Sequence, residues 1–368
     1  MRVYVCQACG QLLYFENIRC ESCGHTLGYA PDKQTIFALE PQSDGTFKTV
    51  NASRRYRFCK NQEAGVCNWL IPARSPDLYC AACRHNRVVP DLSVPENSAH
   101  WAQIEIAKHR LFYSLLRLNL PLANRADNPE HGLAFDFLAD APQPHGQGVL
   151  TGHDNGQITL AVKEADDAER ERVRTTMGEP YRTLLGHFRH EIGHYFWDVL
   201  VRDAGRTDSF RAAFGDESQD YASALQAYYQ NGAPADWRQN FVSAYASAHP
   251  WEDFAETWAH YLHIVDTLET AGAFGVRVKV KPGWRTKLAA TIDFDPYASP
   301  SMSALIDAWL PLTFAMNSLN RSMGQHDLYP FILTPAVIAK LAYIHELIHG
   351  APSVAVRPPA QENLVPAQ

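Results

Sequence analysis

The chain has 368 residues, of which 46% are apolar and 20% charged. That is ordinary globular composition, at a length that accommodates two or three domains. A net charge of −7 argues against a protein that binds nucleic acid or anionic membranes by bulk electrostatics. No apolar run reaches the ~18 residues of a bilayer span. Met1-Arg2 leads straight into Val3-Tyr4-Val5-Cys6 without the apolar stretch of a secretory signal. A cytoplasmic protein with no membrane association is therefore expected.

Residues 1–90 read as a small module. They hold 11 Lys/Arg against 7 Asp/Glu, whereas the rest of the chain holds 22 against 33. All eight cysteines lie between residues 6 and 83, and clustering of this kind in a reducing compartment favours metal sites over disulfides. Cys6-x2-Cys9-Gly10 and Cys20-x2-Cys23-Gly24 are two knuckles ten residues apart. Each turn aims two thiolates at one centre, and the following glycine permits the left-handed backbone that closes it. Cys59, Cys67, Cys80 and Cys83 form a looser second set, in which His85 or His25 is an alternative to one thiolate. Four thiolates leave no open coordination position, so both sets predict structural zinc, one or two ions in all. Leu12–Phe15 and Thr35–Leu39 predict short strands. Arg54-Arg55-Tyr56-Arg57 reads as a solvated basic run.

Pro90–Pro95 reads as a linker, and a domain is expected over residues 91–350. A helix is predicted from Trp101 to Leu118 on three- and four-residue spacing, stopped by Pro121. Residues 123–147 read as irregular, with His153 in a turn. Gln157–Val162 is the best strand pattern in the chain. A charged helix over Glu164–Met177, an amphipathic helix over Tyr181–Val201 and a helix over Gln219–Gln230 follow. Pro250, in the first-turn position that proline tolerates, opens a long helix to about Ala271. Two more helices are expected near 301–322 and 335–349, then a disordered tail over 351–368.

His190-Glu191-Ile192-Gly193-His194 fits the H-E-x-x-H pattern. On a helix both imidazoles share a face and can reach one zinc, with Glu191 beside them as a base for water. The pattern recurs at His345-Glu346-Leu347-Ile348-His349, so five letters alone decide nothing. Only 19 residues follow His349, with Glu362 the sole acid among them, and this copy is read as coincidence. Two glutamates remain as third ligand to the first copy. Glu217 lies 23 residues past His194. Glu252 shares a helix face with Glu256, so that one carboxylate can bind metal while the next holds the far nitrogen of a ligand histidine. His187, His260 and His263 are weaker candidates nearby.

Glu252-x-x-Ala255-Glu256, with Tyr245 seven residues before it, resembles the active-site helix of zincins of the anthrax lethal factor type. That resemblance implies Glu252 as ligand, Glu256 as its support and Tyr245 as a stabiliser of the tetrahedral oxyanion. Over nearly the whole chain the sequence resembles the bacterial zinc-binding metallopeptidase family with an N-terminal zinc-ribbon region. The segments that carry this are Cys67–Leu70, Leu133–Asp140, Tyr181–Glu191 and His249–Tyr261. The expected architecture is α+β, a zincin-like domain with a mixed or antiparallel sheet, the strand near 157–162 lying along the cleft, preceded by zinc-ribbon modules. The expected function is zinc-dependent hydrolysis of a peptide or protein substrate, with one catalytic zinc on His190, His194 and Glu252. The competing class is a zinc-ribbon adaptor for protein or nucleic acid on a non-catalytic zincin-like fold. A protein partner for the ribbon is compatible with either, and nucleic acid is disfavoured by the charge.

Overall fold

The computed structural model describes residues 1–140, 149, 151–177, 179, 181–280 and 288–350; the predicted tail lies outside them. The first ribbon hairpin pairs β1 (Tyr4–Val5) with β2 (Leu12–Leu13). A five-stranded antiparallel meander follows, in the order β3 (Thr26–Ala30), β4 (Thr35–Pro41), β5 (Phe47–Thr49), β6 (Arg55–Phe58), β7 (Leu70–Pro72). Gly10 and Gly24 adopt φ of 81° and 77°, the left-handed turn closure expected after each CxxC pair.

The second sheet draws on both halves of the chain. β8 (Asn86–Val88) comes from before residue 90. It is followed by α1 (Pro95–Arg117), β9 (Ala134–Leu138), β10 (Gly152–Asp154) and β11 (Gln157–Ala161). The strand order is β10-β11-β9-β8, with β10 antiparallel to β11 and the other pairs parallel. Two expectations are corrected here. Residues 134–138 are an interior strand, not irregular chain. Ala134, Phe135, Asp136 and Phe137 are all buried, and the Asp136 charge that breaks the apolar run is held by Arg87 Nε at 2.8 Å and Gln157 at 2.9 Å. β11 is also interior. The edge strand next to the predicted metal helix is β10, and His153 lies within it. Asn155 and Gly156, at φ of 46° and 82°, form the two-residue turn whose positive angles suit a hairpin.

The helices pack beneath this sheet. They are α2 (Asp167–Met177), α3 (Leu184–Trp197), α4 (Thr207–Phe214), α5 (Tyr221–Asn231), α6 (Trp237–Asn240) and α7 (Pro250–Ala273). A small hairpin of β12 (Arg277–Lys279) and β13 (Ala289–Thr291) precedes α8 (Met302–Ser322) and α9 (Pro335–His349). No helix among the described residues is long and apolar enough to cross a membrane.

α7 is the central element, with Phe254, Trp258, Tyr261, Leu262, Ile264, Val265 and Leu268 fully buried. α3 crosses it antiparallel and very close. A Cβ on Gly193 would stand 2.9 Å from Ala255 Cα and 3.2 Å from Trp258 Cβ, so only glycine allows this approach. Arg189, itself buried, locks the crossing with Nη2 on Asp266 at 2.7 Å. The ribbon is fused to the same body. Phe15, Tyr29 and Trp69 of the ribbon stack with Tyr113 of α1 in one aromatic cluster with edge and tilted contacts between 4.8 and 6.3 Å.

Candidate metal centre

α3 begins where Thr183 accepts the Gly186 N–H at 3.0 Å, a normal N-cap. The helix therefore starts three residues later than the sequence periodicity predicts, at the Thr183 cap. From that start His190 and His194 fall on one face, one turn apart, toward α7. α7 begins at Pro250 behind His249, whose Nδ1 accepts the Trp251 N–H at 3.1 Å. Its first turn carries Glu252, 1% exposed, and Asp253.

The two helices bring together His190, His194 and Glu252, the one His/His/Glu group of metal-binding type among the described residues. His190 Nε2 is 3.0 Å from Glu252 Oε2 and 3.2 Å from His194 Nε2. His194 Nε2 is 3.7 Å from Glu252 Oε1. His190 Nδ1 is 2.8 Å from Glu256 Oε1. A carboxylate accepts, so Nδ1 carries the proton and Nε2 presents a lone pair. Glu252 Oε2 is buried with no hydrogen-bond donor. Two ring nitrogens and an orphaned carboxylate oxygen converging on one point repel one another unless a cation lies between them. The electrostatics favour positive charge at this point, whether a metal ion or a proton on His190. Burial alone would lower the His190 pKa, but the Glu252 and Glu256 carboxylates raise it well above the ordinary range. Burial likewise opposes ionisation of Glu252, and His194 and His190 override it. The residues fit a zinc ion of the two-histidine, one-carboxylate type.

Residues 97–347 match a protein family described as "Putative zinc-binding metallo-peptidase", and residues 3–94 match a zinc-ribbon domain. Uncharacterized proteins of Mycobacterium tuberculosis (strains ATCC 25618 / H37Rv and CDC 1551 / Oshkosh) and Mycobacterium bovis (strain ATCC BAA-935 / AF2122/97) are each 40% identical over 349 residues, which is 95% of this chain and 95% of each relative. The chain belongs to this zinc-binding metallopeptidase family. No solved structure matches it. Family membership makes it a zinc metallohydrolase or peptidase by kind, and the mixed helix-and-sheet architecture behind an N-terminal ribbon is the expected one.

Beside this cluster, Glu191 is 8% exposed and accepts no hydrogen bond from any described residue, which leaves its carboxylate free. The Tyr245 ring lies 6.0 Å from that of His190, in a short turn over Tyr245–Ser247. Burial, followed by the Glu252 charge, raises its phenol pKa and keeps it protonated. Tyr221 was not singled out by the sequence. It donates to Glu252 Oε1 at 2.5 Å, from the first residue of α5, and His249 Nε2 on the Gln219 carbonyl at 3.2 Å anchors that segment to the start of α7. No spacing rule links residues 221 and 252, so only the tertiary structure reveals it.

The other candidates are occupied elsewhere. Glu217 is held by Arg211 through two contacts of 2.9 and 2.6 Å. His187 pairs with Glu164 at 2.9 Å, His260 with the Tyr329 hydroxyl at 2.7 Å, and His263 with Arg189 at 2.6 Å. In the second H-E-x-x-H copy, His345 and His349 both contact the Tyr261 hydroxyl, at 3.1 and 3.3 Å, and Glu346 is exposed. They are packing groups of α9 against α7.

In the ribbon, Cys6, Cys9, Cys20 and Cys23 form one four-cysteine cluster, with Sγ separations of 3.7 Å (Cys6–Cys23) and 3.6 Å (Cys9–Cys20). Cys59, Cys67, Cys80 and Cys83 form the other and are all buried. His25 lies beside the first cluster, 3.3 Å from Cys23 Sγ. His85 turns away from the second, with Nδ1 on the Leu133 carbonyl at 3.0 Å.

Proposed function

We propose that the protein is a zinc-dependent peptidase whose catalytic centre is His190, His194 and Glu252, with Glu191 as general base. The observation that carries this is the convergence of His190 Nε2, His194 Nε2 and the donorless Glu252 Oε2, with His190 Nδ1 pinned by Glu256. A zinc held by these groups would supply Lewis-acid activation of water and of the scissile carbonyl. Glu191 accepts a proton from the attacking water at its carboxylate and passes it to the leaving amine nitrogen. Tyr245 donates its phenol hydrogen to the carbonyl oxygen as charge builds there, a contact worth on the order of 3 kcal/mol in comparable sites. Glu256 fixes the tautomer of His190, and Tyr221 holds Glu252 by its second oxygen.

The two four-cysteine clusters are read as structural zinc sites, and the grouping of all eight cysteines into two metal-type clusters supports a reducing, cytoplasmic setting. Residues 1–90 then form the ribbon region and 91–350 the catalytic domain. Val5, Leu12, Tyr14 and Ile18 are exposed apolar side chains on the first knuckle, which supports a protein partner there.

The test is Glu191→Gln, with zinc content and cleavage of an unfolded protein substrate measured together. The variant is expected to keep all its zinc and lose about 10²- to 10⁴-fold in rate. Activity equal to wild type removes Glu191 as the base. A wild-type zinc content no higher than the cysteine clusters require removes the catalytic site and favours the adaptor reading.

A further inference from the structure

Three of the four sulfurs of the second cluster face a histidine from outside the ribbon. His109, in α1, is 5% exposed. Its Nε2 lies 3.3 Å from Cys67 Sγ, 3.7 Å from Cys83 Sγ and 4.0 Å from Cys80 Sγ. Its Nδ1 is 2.6 Å from the main-chain carbonyl of Glu105. A carbonyl can only accept, so Nδ1 carries a proton, and in the neutral ring Nε2 directs a lone pair at the sulfurs. The Trp69 indole packs against the imidazole, with ring centroids 5.0 Å apart.

These distances are those of ligand atoms around one metal. With Zn–S near 2.3 Å and Zn–N near 2.0–2.1 Å, the edges of a tetrahedral site are about 3.8 Å between sulfurs and about 3.6 Å between sulfur and nitrogen. The Cys67–Cys80 edge is 3.8 Å, and the three edges to His109 scatter about the second value. Cys59, the fourth sulfur, accepts the Cys80 N–H at 3.3 Å.

We propose that His109 is a fifth donor of the second cluster: Cys67, Cys80 and Cys83 are fixed ligands, and Cys59 and His109 exchange as the fourth. Charge gives the reason for the competition. Four thiolates around Zn²⁺ leave two negative charges in a buried site, and a neutral imidazole in place of one thiolate leaves a single charge. The surroundings already contain the buried Glu105 carboxylate, 3.7 Å from Cys83 Sγ and neutralised by buried Lys108 at 2.8 Å. Uncompensated buried charge is costly, which favours the histidine, while the thiolate is the stronger donor. The cysteines fall in the ribbon match and His109 in the peptidase match, so the metal would join the two by coordination. This inference rests on the second cluster holding a metal and is independent of the reaction at His190.

The experiment is ¹¹³Cd NMR of the full chain loaded with Cd²⁺ and labelled with ¹⁵N-histidine, which resolves each site separately. Wild type should give two thiolate-rich resonances; finding only one overturns the metal reading and the proposal with it. In Cys59→Ser the second resonance should persist, move upfield as nitrogen replaces sulfur, and show coupling to an imidazole nitrogen. That resonance should vanish in Cys59→Ser/His109→Asn. Loss of the resonance in Cys59→Ser alone, or its persistence without ¹⁵N coupling, makes His109 a neighbour and not a ligand. If the Cys59 variant does not fold, His109→Asn decides. The second resonance should move downfield toward that of the first cluster, and an unchanged position overturns the proposal.

Discussion

Glu256 touches no substrate in the proposed mechanism, yet its removal should be felt at the metal. Its Oε1 receives the His190 Nδ1–H at 2.8 Å, which both orients the ring and leaves Nε2 as the lone-pair donor. Loss of such a carboxylate behind a ligand histidine costs roughly 10- to 100-fold in metal affinity, equivalent to about 1.4–2.8 kcal/mol at 1.4 kcal/mol per decade. The two obvious variants should separate within that range. Glu256→Gln retains an acceptor oxygen and loses only the charge, so it should lie near tenfold. Glu256→Ala also frees the ring to turn and strands its N–H, so it should lie near a hundredfold. The assay is competition with a chromophoric zinc chelator, read on the most weakly held zinc, while the cysteine-bound zinc serves as internal reference. A Glu256→Ala protein that binds this zinc within about threefold of wild type would refute the claim that Glu256 prepares His190, since even the mildest such loss is about tenfold.

Three further outcomes are expected. Gly193→Ala places a Cβ 2.9 Å from Ala255 Cα, and overpacking of about 1–3 kcal/mol should exceed the ~1 kcal/mol that alanine returns to a helix; thermal melts should fall and zinc affinity weaken, because the ligands straddle that crossing. An unchanged melt and an unchanged zinc affinity would show the crossing to be looser than drawn. Glu217→Ala should leave zinc content intact and Glu252→Ala should lose the weakest zinc; the reverse pattern would reassign the third ligand. Burial, reinforced by His349, depresses His345 to about 4, below the ~6.5 of an unfolded histidine. Its neutral form is favoured on folding, so this stability is full above about pH 6.5 and is lost as pH falls through about 4. His345→Gln should flatten the fall in melting temperature across that window, and parallel curves for variant and wild type would contradict the burial argument.

The helices that carry the site were readable because their signals are local. Pro250, the Glu252/Glu256 pair and the apolar stripe around Trp258 all act within one element, and the H-E-x-x-H spacing acts within another. The duplicate motif at 345–349 separates from the first already in the sequence, by the lack of a downstream acid other than Glu362 before the chain ends, and its histidines indeed pack on Tyr261. β9 was missed because its signal is not local. Asp136 interrupts an apolar run that otherwise reads as a strand, and the group that neutralises it, Arg87, lies 49 residues upstream. Tyr221 and His109 act wholly through tertiary contacts, to Glu252 and to the second cysteine cluster. His109 also lies between the buried Lys108, 0% exposed, and Arg110 on a helix whose three- and four-residue apolar spacing reports only packing.

The parallel pairing of β8 with β9 has a consequence for how this chain can be cut. A fragment that begins after the ribbon would keep α3 and α7 but expose one whole side of β9, a strand whose side chains are buried and whose Asp136 would have lost its guanidinium. A bare, flat edge of that kind is a template for pairing with other copies. Such a fragment would therefore tend to aggregate even with every residue of the metal centre present. During folding it is β8 that must wait, since it is synthesised first and its partner follows only after the whole of α1. The ribbon, whatever else it binds, thus acts as the closing edge of the peptidase sheet, and the two have to be inherited and expressed together.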